Sequence, residues 1–421
     1  TPVPGTHDAT ILSDKGASVT VSYDGSYTYN HGALFQSLAL GETTTDTFSY
    51  TITDLKGNTD TAVVTITITG TNDAPVLTID TAGAVTEDTG ATLTDTGTLS
   101  IADVDTSDTH TVATSYNNDA SWSGGALSAP QITALTSGTF TANASGWTYS
   151  VANSATNFLD AGETVTFTYD VSVSDGNGGT DTETVTVTIT GSDDALLTGG
   201  LTTGNVAEDG VLIASGTLTA SDVDTTDNPL VYSVVTDQAG DNGFGDFSID
   251  AAGNWNYDLN NAAVQSLDAG ETLTDTYTFT VTNQDGATET QVVTVTIAGA
   301  DDPIVVGGTT TGNVTEDGTL TANGTLTASD IDTTDNPLNY TVVASQPGTH
   351  AYGNFSVNAA GAWTYNLNNS HASVQALDAG ETLVDTYTFT VTNQDGATVN
   401  QLVTVTITGA DDPIIVGGTT T

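Results

Sequence analysis

A heptapeptide that returns at a fixed interval constrains this chain more than any other feature. GNVAEDG at Gly204–Gly210 comes back as GNVTEDG at Gly312–Gly318, and SDVDTTDNPL from Ser221 comes back as SDIDTTDNPL from Ser329, each 108 residues on. LDAGET begins at Leu159, Leu267 and Leu377, while GTNDAPV, GSDDALL, GADDPIV and GADDPII begin at Gly70, Gly191, Gly299 and Gly409. Self-similarity of this kind predicts tandem units. The expected boundaries are 1–73 for the C-terminal part of a first unit, then 74–194, 195–302 and 303–412, with 413–421 opening a further one. Both ends are expected to cut through a unit, as in a piece of a longer array.

Within a unit the local pattern is that of strands. Thr184–Thr190 reads TVTVTIT and Tyr277–Thr282 reads YTFTVT, strict alternation that buries one face. Turn sequences separate such runs: DGNGG at Asp175–Gly179 and NQDG at Asn283–Gly286 and Asn393–Gly396. No helix longer than a turn is expected, the nearest candidate being Asn260–Leu267. Short strands with frequent turns in units of about 110 residues predict an all-β chain of tandem Ig-like β-sandwiches. Trp147/Tyr149, Trp255/Tyr257 and Trp363/Tyr365, with Tyr27/Tyr29 in the first fragment, share a strand face at i and i+2. They are expected in the core rather than as a carbohydrate platform. Unit 74–194 carries 11 extra residues between Asp105 and Trp147, around NNDASWSGGALSAPQ. A long loop presenting Trp122 for contact is one reading of that stretch, and plain length variation is the other.

Charge then narrows the function. The chain holds 52 carboxylates against two basic side chains, Lys15 and Lys56, for a formal charge of −50. Nucleic acid requires a Lys/Arg surface, and an anionic membrane repels a chain like this one. Lys/Arg salt bridges cannot hold the carboxylates, so cations or water must. No cysteine is present, which removes disulfides and thiolate metal sites together. No stretch approaches a membrane span, and the N-terminal residues do not read as a signal peptide.

The acids recur at fixed places. Glu-Asp follows the opening strand as Glu87/Asp88, Glu208/Asp209 and Glu316/Asp317. Asp-x-Asp follows as Asp103/Asp105, Asp222/Asp224 and Asp330/Asp332, with Asp108, Asp227 and Asp335 nearby. Asp-x-x-Glu precedes the last hairpin as Asp160/Glu163, Asp268/Glu271 and Asp378/Glu381. The linkers contribute Asn72/Asp73, Asp193/Asp194, Asp301/Asp302 and Asp411/Asp412. Following strand direction, Glu-Asp and Asp-x-x-Glu fall at the bottom of one unit and Asp-x-Asp at the top of the next, so each junction gathers three sets. Two carboxylates about 5 Å apart repel by roughly 3 kcal/mol at an effective dielectric near 20, so such gatherings require cations. Flexible, all-oxygen, carboxylate-rich sites select Ca²⁺ over Mg²⁺, and the absence of His or Cys from the pattern disfavours zinc and copper. Solvated loop acids are the plain alternative for any single motif, but they do not explain the recurring triple set.

These residues resemble a known pattern. LDAGE, Asp-x-Asp, Glu-Asp after the first strand and the N/D-D-x-P linker look like cadherin calcium motifs. They are more similar still to the VCBS/cadherin-like repeats of giant bacterial RTX adhesins exported by type I secretion, most specifically in GTNDAPV and in ALDAGETLVDTYTFTVTNQDG from Ala376. The resemblance implies a tandem cadherin-like rod, extracellular or on the bacterial surface, in which several Ca²⁺ per junction stiffen the chain and hold a distal ligand-binding region away from the cell. It departs from the pattern at Ala39, where the motif's Asp would stand, leaving Glu42, Asn72 and Asp73 at the first junction, and at Ala195-Leu196 in place of Ala-Pro. The expected partners are neighbouring repeats of the same chain. The alternative reading is a self-associating filament or matrix subunit. No catalytic motif such as GxSxG, HExxH or a P-loop appears, and identical acids in every unit argue against an enzyme.

Overall fold

The computed structural model describes residues 8–414 and Gly417. The expected opening of a further unit at 413–421 therefore lies mostly outside the described residues. The chain divides into two compact units. One holds the residues up to Leu196 together with Asp222–Pro229, and the other holds Leu197–Ser221 and the residues from Leu230 onward.

In the first unit, the strands Ala9–Leu12, Ser18–Val21 and Tyr27–Asn30 make an antiparallel three-stranded sheet, and Thr43–Thr53 pairs with Thr59–Thr69 as a long hairpin. A complete sandwich follows. One sheet runs Phe140–Asn143, Gly146–Ala152, Thr92–Ala102, Val76–Ile79. Its partner runs Ser121–Trp122, Thr164–Ser174, Thr180–Thr190, Ala82–Thr86, with Thr111–Tyr116 also pairing Thr164–Ser174. Ala82–Thr86 lies parallel to Thr180–Thr190, so the opening of the repeat is stitched to its end.

The second unit contains two sandwiches built on one plan. In the first, Leu197–Gly200, Ile213–Ser221, Asn254–Leu259, Gly245–Ile249 and Val235–Ala239 face Thr203–Ala207, Thr288–Ala298, Thr272–Thr282 and Val231–Tyr232. In the second, Val305–Gly308, Thr321–Ser329, Ala362–Leu367, Gly353–Val357 and Val343–Pro347 face Thr311–Thr315, Thr398–Thr408, Thr382–Thr392 and Asn339–Tyr340. The chain is all-β, built of tandem Ig-like sandwiches.

Each core centres on the Trp-x-Tyr pair. Trp147, Trp255 and Trp363, with Tyr149, Tyr257 and Tyr365, are at most 2% exposed. Each indole N–H donates at 2.7 Å to a backbone carbonyl near the opening strand, that of Asp80, Leu201 or Thr309. Gly216 makes room for the ring: a Cβ there would come within 2.8 Å of the Trp255 indole. In the first fragment Tyr27 is 46% exposed, so there the pair does not form a closed core.

The longer repeat corrects one expectation and sets aside one of the two readings of its extra residues. The extra residues include a helix, Ala129–Thr136, where none was expected. Gln131 accepts the Ser128 N–H at 2.9 Å and Pro130 stands in the first turn, so the helix is set by its start, being too short to show a period. Trp122 is not presented for contact. It is 9% exposed, lies in the strand Ser121–Trp122 and meets Phe158 edge-on at 5.1 Å.

Candidate metal centres at the repeat junctions

The linker after each sandwich is drawn onto the Asp-x-Asp loop of the next by backbone hydrogen bonds to buried carboxylates. The N–H groups of Asp73, Asp194 and Asp302 donate at 2.8 Å to Oδ2 of Asp105, Asp224 and Asp332. Each of those carboxylates keeps its other oxygen, Oδ1, buried without a hydrogen-bond partner. The motif also folds on itself: Asp105 and Asp224 N–H donate to Oδ1 of Asp103 and Asp222 at 2.9 and 3.1 Å. Such Asx contacts fix a short acidic loop without using its remaining oxygens.

At the second junction, Asp160, Asp193, Asp224 and Asp227 bring carboxylate oxygens within 4.8 Å of one another. Glu87 adds to the set. Its Oε2 accepts the Ser192 N–H at 3.2 Å and its Oε1 is buried without a partner. Burial, aided by Asp194 and Asp88, pushes the Glu87 carboxyl up to about 6. Asp224 is pushed up to about 7, first by burial and then by Asp194, Asp222 and Asp227.

The third junction repeats this arrangement with Asp268, Asp301, Asp332 and Asp335. Asp302, Asp330 and Asp335 each keep one buried oxygen without a partner. Glu208 is raised to about 7 by burial and then by Asp302, Asp209 and Asp332. Its Oε1 accepts from Gln265 Nε2 at 2.8 Å, and its Oε2 is buried without a partner. The second repeat has Asn157 at the position of Gln265, one methylene shorter, and there Glu87 Oε1 has no partner.

The first junction differs. Its group is Asp103, Asp108 and Asp175, with Asn72 Nδ2 donating to Asp175 Oδ2 at 2.8 Å and His110 Nε2 lying 2.8 Å from Asp103 Oδ2. Glu42 does not join it: its Oε2 accepts the Ala39 N–H at 3.1 Å. At the last linker, Glu316, Asp317, Asp378, Glu381, Asp411 and Asp412 make no group of three among the described residues, although burial raises the Glu316 carboxyl.

Two acidic sets play local parts. Glu163, Glu271 and Glu381 close their own turns by accepting the N–H of Asp160, Asp268 and Asp378 at 3.2, 3.2 and 3.0 Å. Asp88, Asp209 and Asp317 have φ of 60°, 52° and 53° and donate their N–H to Asn153, Asn261 and Asn369. Asp tolerates that left-handed conformation better than most residues. Asp227 and Asp335, noted in the sequence only as neighbours of the Asp-x-Asp sets and not as ligands, complete both four-carboxylate groups. Their signal is the third acid of D-x-D-T-T-D. Asp175 hid in a turn whose counterparts are Asn283 and Asn393.

Three consecutive segments, 72–191, 194–299 and 300–409, match the family described as bacterial cadherin-like domain, and residues 4–67 match the bacterial Ig domain. No curated protein matches the chain. Among solved structures, the protocadherin gamma B2 extracellular cadherin domains 1–5 align at 14% identity and a TM-score of 0.41, over 97% of this chain and 74% of theirs. Drosophila N-cadherin EC1–4 aligns at 16% identity and 0.33, over 98% and 94%. Mouse cadherin-23 EC22–24 aligns at 15% identity and 0.36, over 80% and 99%.

Proposed function

The chain belongs to the bacterial cadherin-like domain family, and on that premise we propose that it is a calcium-stiffened extracellular spacer of a secreted bacterial adhesin of the RTX type. The observation that carries this reading is the pair of four-carboxylate groups, each holding a fully buried Asp, Asp224 or Asp332, with an unpartnered oxygen. Buried carboxylate oxygens without donors are costly unless a cation meets them. The donor set is all oxygen, which suits Ca²⁺ with its six to eight oxygen ligands.

In this reading Asp160, Asp193, Asp224 and Asp227 hold the ion at one junction, and Asp268, Asp301, Asp332 and Asp335 hold it at the other. Glu87 and Glu208, with Asp194 and Asp302 of the linkers, complete the ligand sets. Bound Ca²⁺ supplies charge neutralisation. The chain's residues supply geometry: each linker N–H fixed on a buried carboxylate ties the end of one repeat to the Asp-x-Asp loop of the next. The boundaries 74–194, 195–302 and 303–412 define the repeating spacer. Its role is mechanical, projecting a distal binding region in support of adhesion or biofilm formation, and no catalytic group is assigned.

Small-angle scattering in Ca²⁺ and in chelator tests the reading. A maximum dimension that lengthens and sharpens with Ca²⁺ is expected, at a length of about 150 Å for strand-built units of this size. The same profile under both conditions would sink the proposal.

A further inference from the structure

We propose that Trp122 is a positioning residue for the second junction: the insertion peculiar to the second repeat presets that junction before an ion arrives. The inference rests on the junctions being calcium sites and adds a difference between them. Trp122 Nε1 donates to Glu163 Oε2 at 3.0 Å, and the same oxygen accepts the Asp160 N–H at 3.2 Å. Gly124 of the insertion backs onto the other oxygen, since a Cβ there would come within 2.0 Å of Glu163 Oε1. The carboxylate is thus held by two donors and a wall, and the backbone it fixes is that of Asp160, one of the four acids of the junction.

The indole works in a second direction too. Its ring meets Phe158 edge-on at 5.1 Å, and the Phe158 carbonyl accepts the Thr225 N–H at 3.2 Å, between Asp224 and Asp227. One side chain therefore braces Asp160 through Glu163 and the Asp222–Pro229 loop through Phe158. The third junction keeps the backbone bond, the Ser266 carbonyl accepting the Thr333 N–H at 3.4 Å, but has no aromatic pair behind it. The third repeat lacks the eleven extra residues and its only tryptophan is Trp255 in the core, so Glu271 takes the Asp268 N–H at 3.2 Å with no indole beside it. Groups that orient metal ligands from behind set affinity by removing the ordering that binding would otherwise require.

Hydrogen exchange on the full chain, followed by mass spectrometry, reads the two junctions separately through peptides covering 222–229 and 330–337. Trp122→Phe keeps a ring and removes the N–H. In chelator, 222–229 is expected to exchange faster in the variant than in the wild type, with 330–337 unchanged. In a Ca²⁺ titration, the midpoint for 222–229 is expected to rise about tenfold while that for 330–337 stays put. Unchanged exchange and midpoint at 222–229, or equal shifts at both loops, would overturn the proposal. Protection of Thr164–Ser174 reports whether the repeat stays folded. If it falls, Gly124→Ala gives the same readout by crowding Glu163 with the indole still packed. Were neither loop of the wild type to respond to Ca²⁺, the calcium reading would fail, and the chelator comparison would still decide the role of Trp122.

Discussion

Tyr257 Oη donates to Asp275 Oδ2 at 3.3 Å inside the third repeat, between two side chains that are both 0% exposed. The carboxylate also accepts the N–H groups of Asn242, Phe244, Gly245 and Thr276, so one buried acid holds the loop that turns back beneath it. Gly240 lets it approach, for a Cβ there would lie 2.3 Å from Asp275 Oδ1. Asp385 with Tyr365 and Asp46 with Tyr29 repeat the pair. In the second repeat Phe167 occupies that strand position, and the Tyr149 hydroxyl donates instead to the Leu135 carbonyl of the inserted helix at 3.0 Å.

Asp275→Ala is expected to destabilise the third repeat by about 3 kcal/mol or more, because four N–H groups, the buried one of Gly245 among them, and the buried Tyr257 hydroxyl lose their acceptor together. Urea unfolding of the full chain, with the Trp255 environment as the local probe, measures it. A loss below about 0.5 kcal/mol, typical of a surface site, would refute the assigned role.

Gly216→Ala pushes a methyl at the Trp255 ring and is expected to cost about 1–3 kcal/mol by overpacking. A shift of the Trp255 emission in the folded protein should accompany the loss. Unaltered stability would mean that the ring relaxes without cost.

Asp332→Asn keeps the shape of the side chain and removes one charge from the third junction. Ca²⁺ titration read by exchange in 330–337 should show weakened binding there, with 222–229 unaffected. Asp224→Asn should produce the mirror result. Mg²⁺ at equal concentration should protect both loops less, since it prefers fewer ligands and retains its waters.

The acid–base behaviour without cations has a definite sign. Glu208 stands near 7 in the folded chain against an ordinary 4.5, raised by burial and by Asp302, Asp209 and Asp332. The unfolded state gives up that proton first as pH rises, so the contribution of Glu208 to stability is whole below about 4.5 and is lost as pH passes through about 7. Glu208→Gln removes this dependence. In chelator, the thermal midpoint of the variant relative to wild type should climb between pH 5 and pH 8, and a constant difference would contradict the burial of that carboxyl. Saturating Ca²⁺ should reverse the trend in the wild type, because the ion requires the deprotonated form.

Alternation along the strands and the Trp-x-Tyr spacing made the sandwiches and their centres legible, because a period of two reports directly which face is buried. The same parity placed Asp275 inward with Leu273, Tyr277, Phe279 and Val281, but an acid among threonines reads as solvent-facing unless its donors are known. Those donors come from a loop some thirty residues earlier, beyond any local pattern. The junction acids were legible as repeating sets. Their division was not: whether Asp105 or Asp103 joins a group depends on loop geometry, and Asp175 differs from Asn283 only by the group it carries. The helix Ala129–Thr136 has too few turns to leave a periodic trace.

The exchange of Asp275 for Phe167 also bears on how the chain avoids tangling as it folds. The third and fourth repeats carry nearly interchangeable strands, TLTDTYTFTVT and TLVDTYTFTVT, each offering a carboxylate to a loop of the same design. Adjacent domains this alike are prone to trade elements before each closes. The second repeat cannot enter that trade: its phenylalanine would leave a neighbour's loop N–H groups bare, and a neighbour's aspartate would arrive where Phe167 packs against the Tyr149 and Tyr169 rings. One dissimilar core thus stays out of the exchange open to the two look-alike domains that follow it, confining such misassembly to their side.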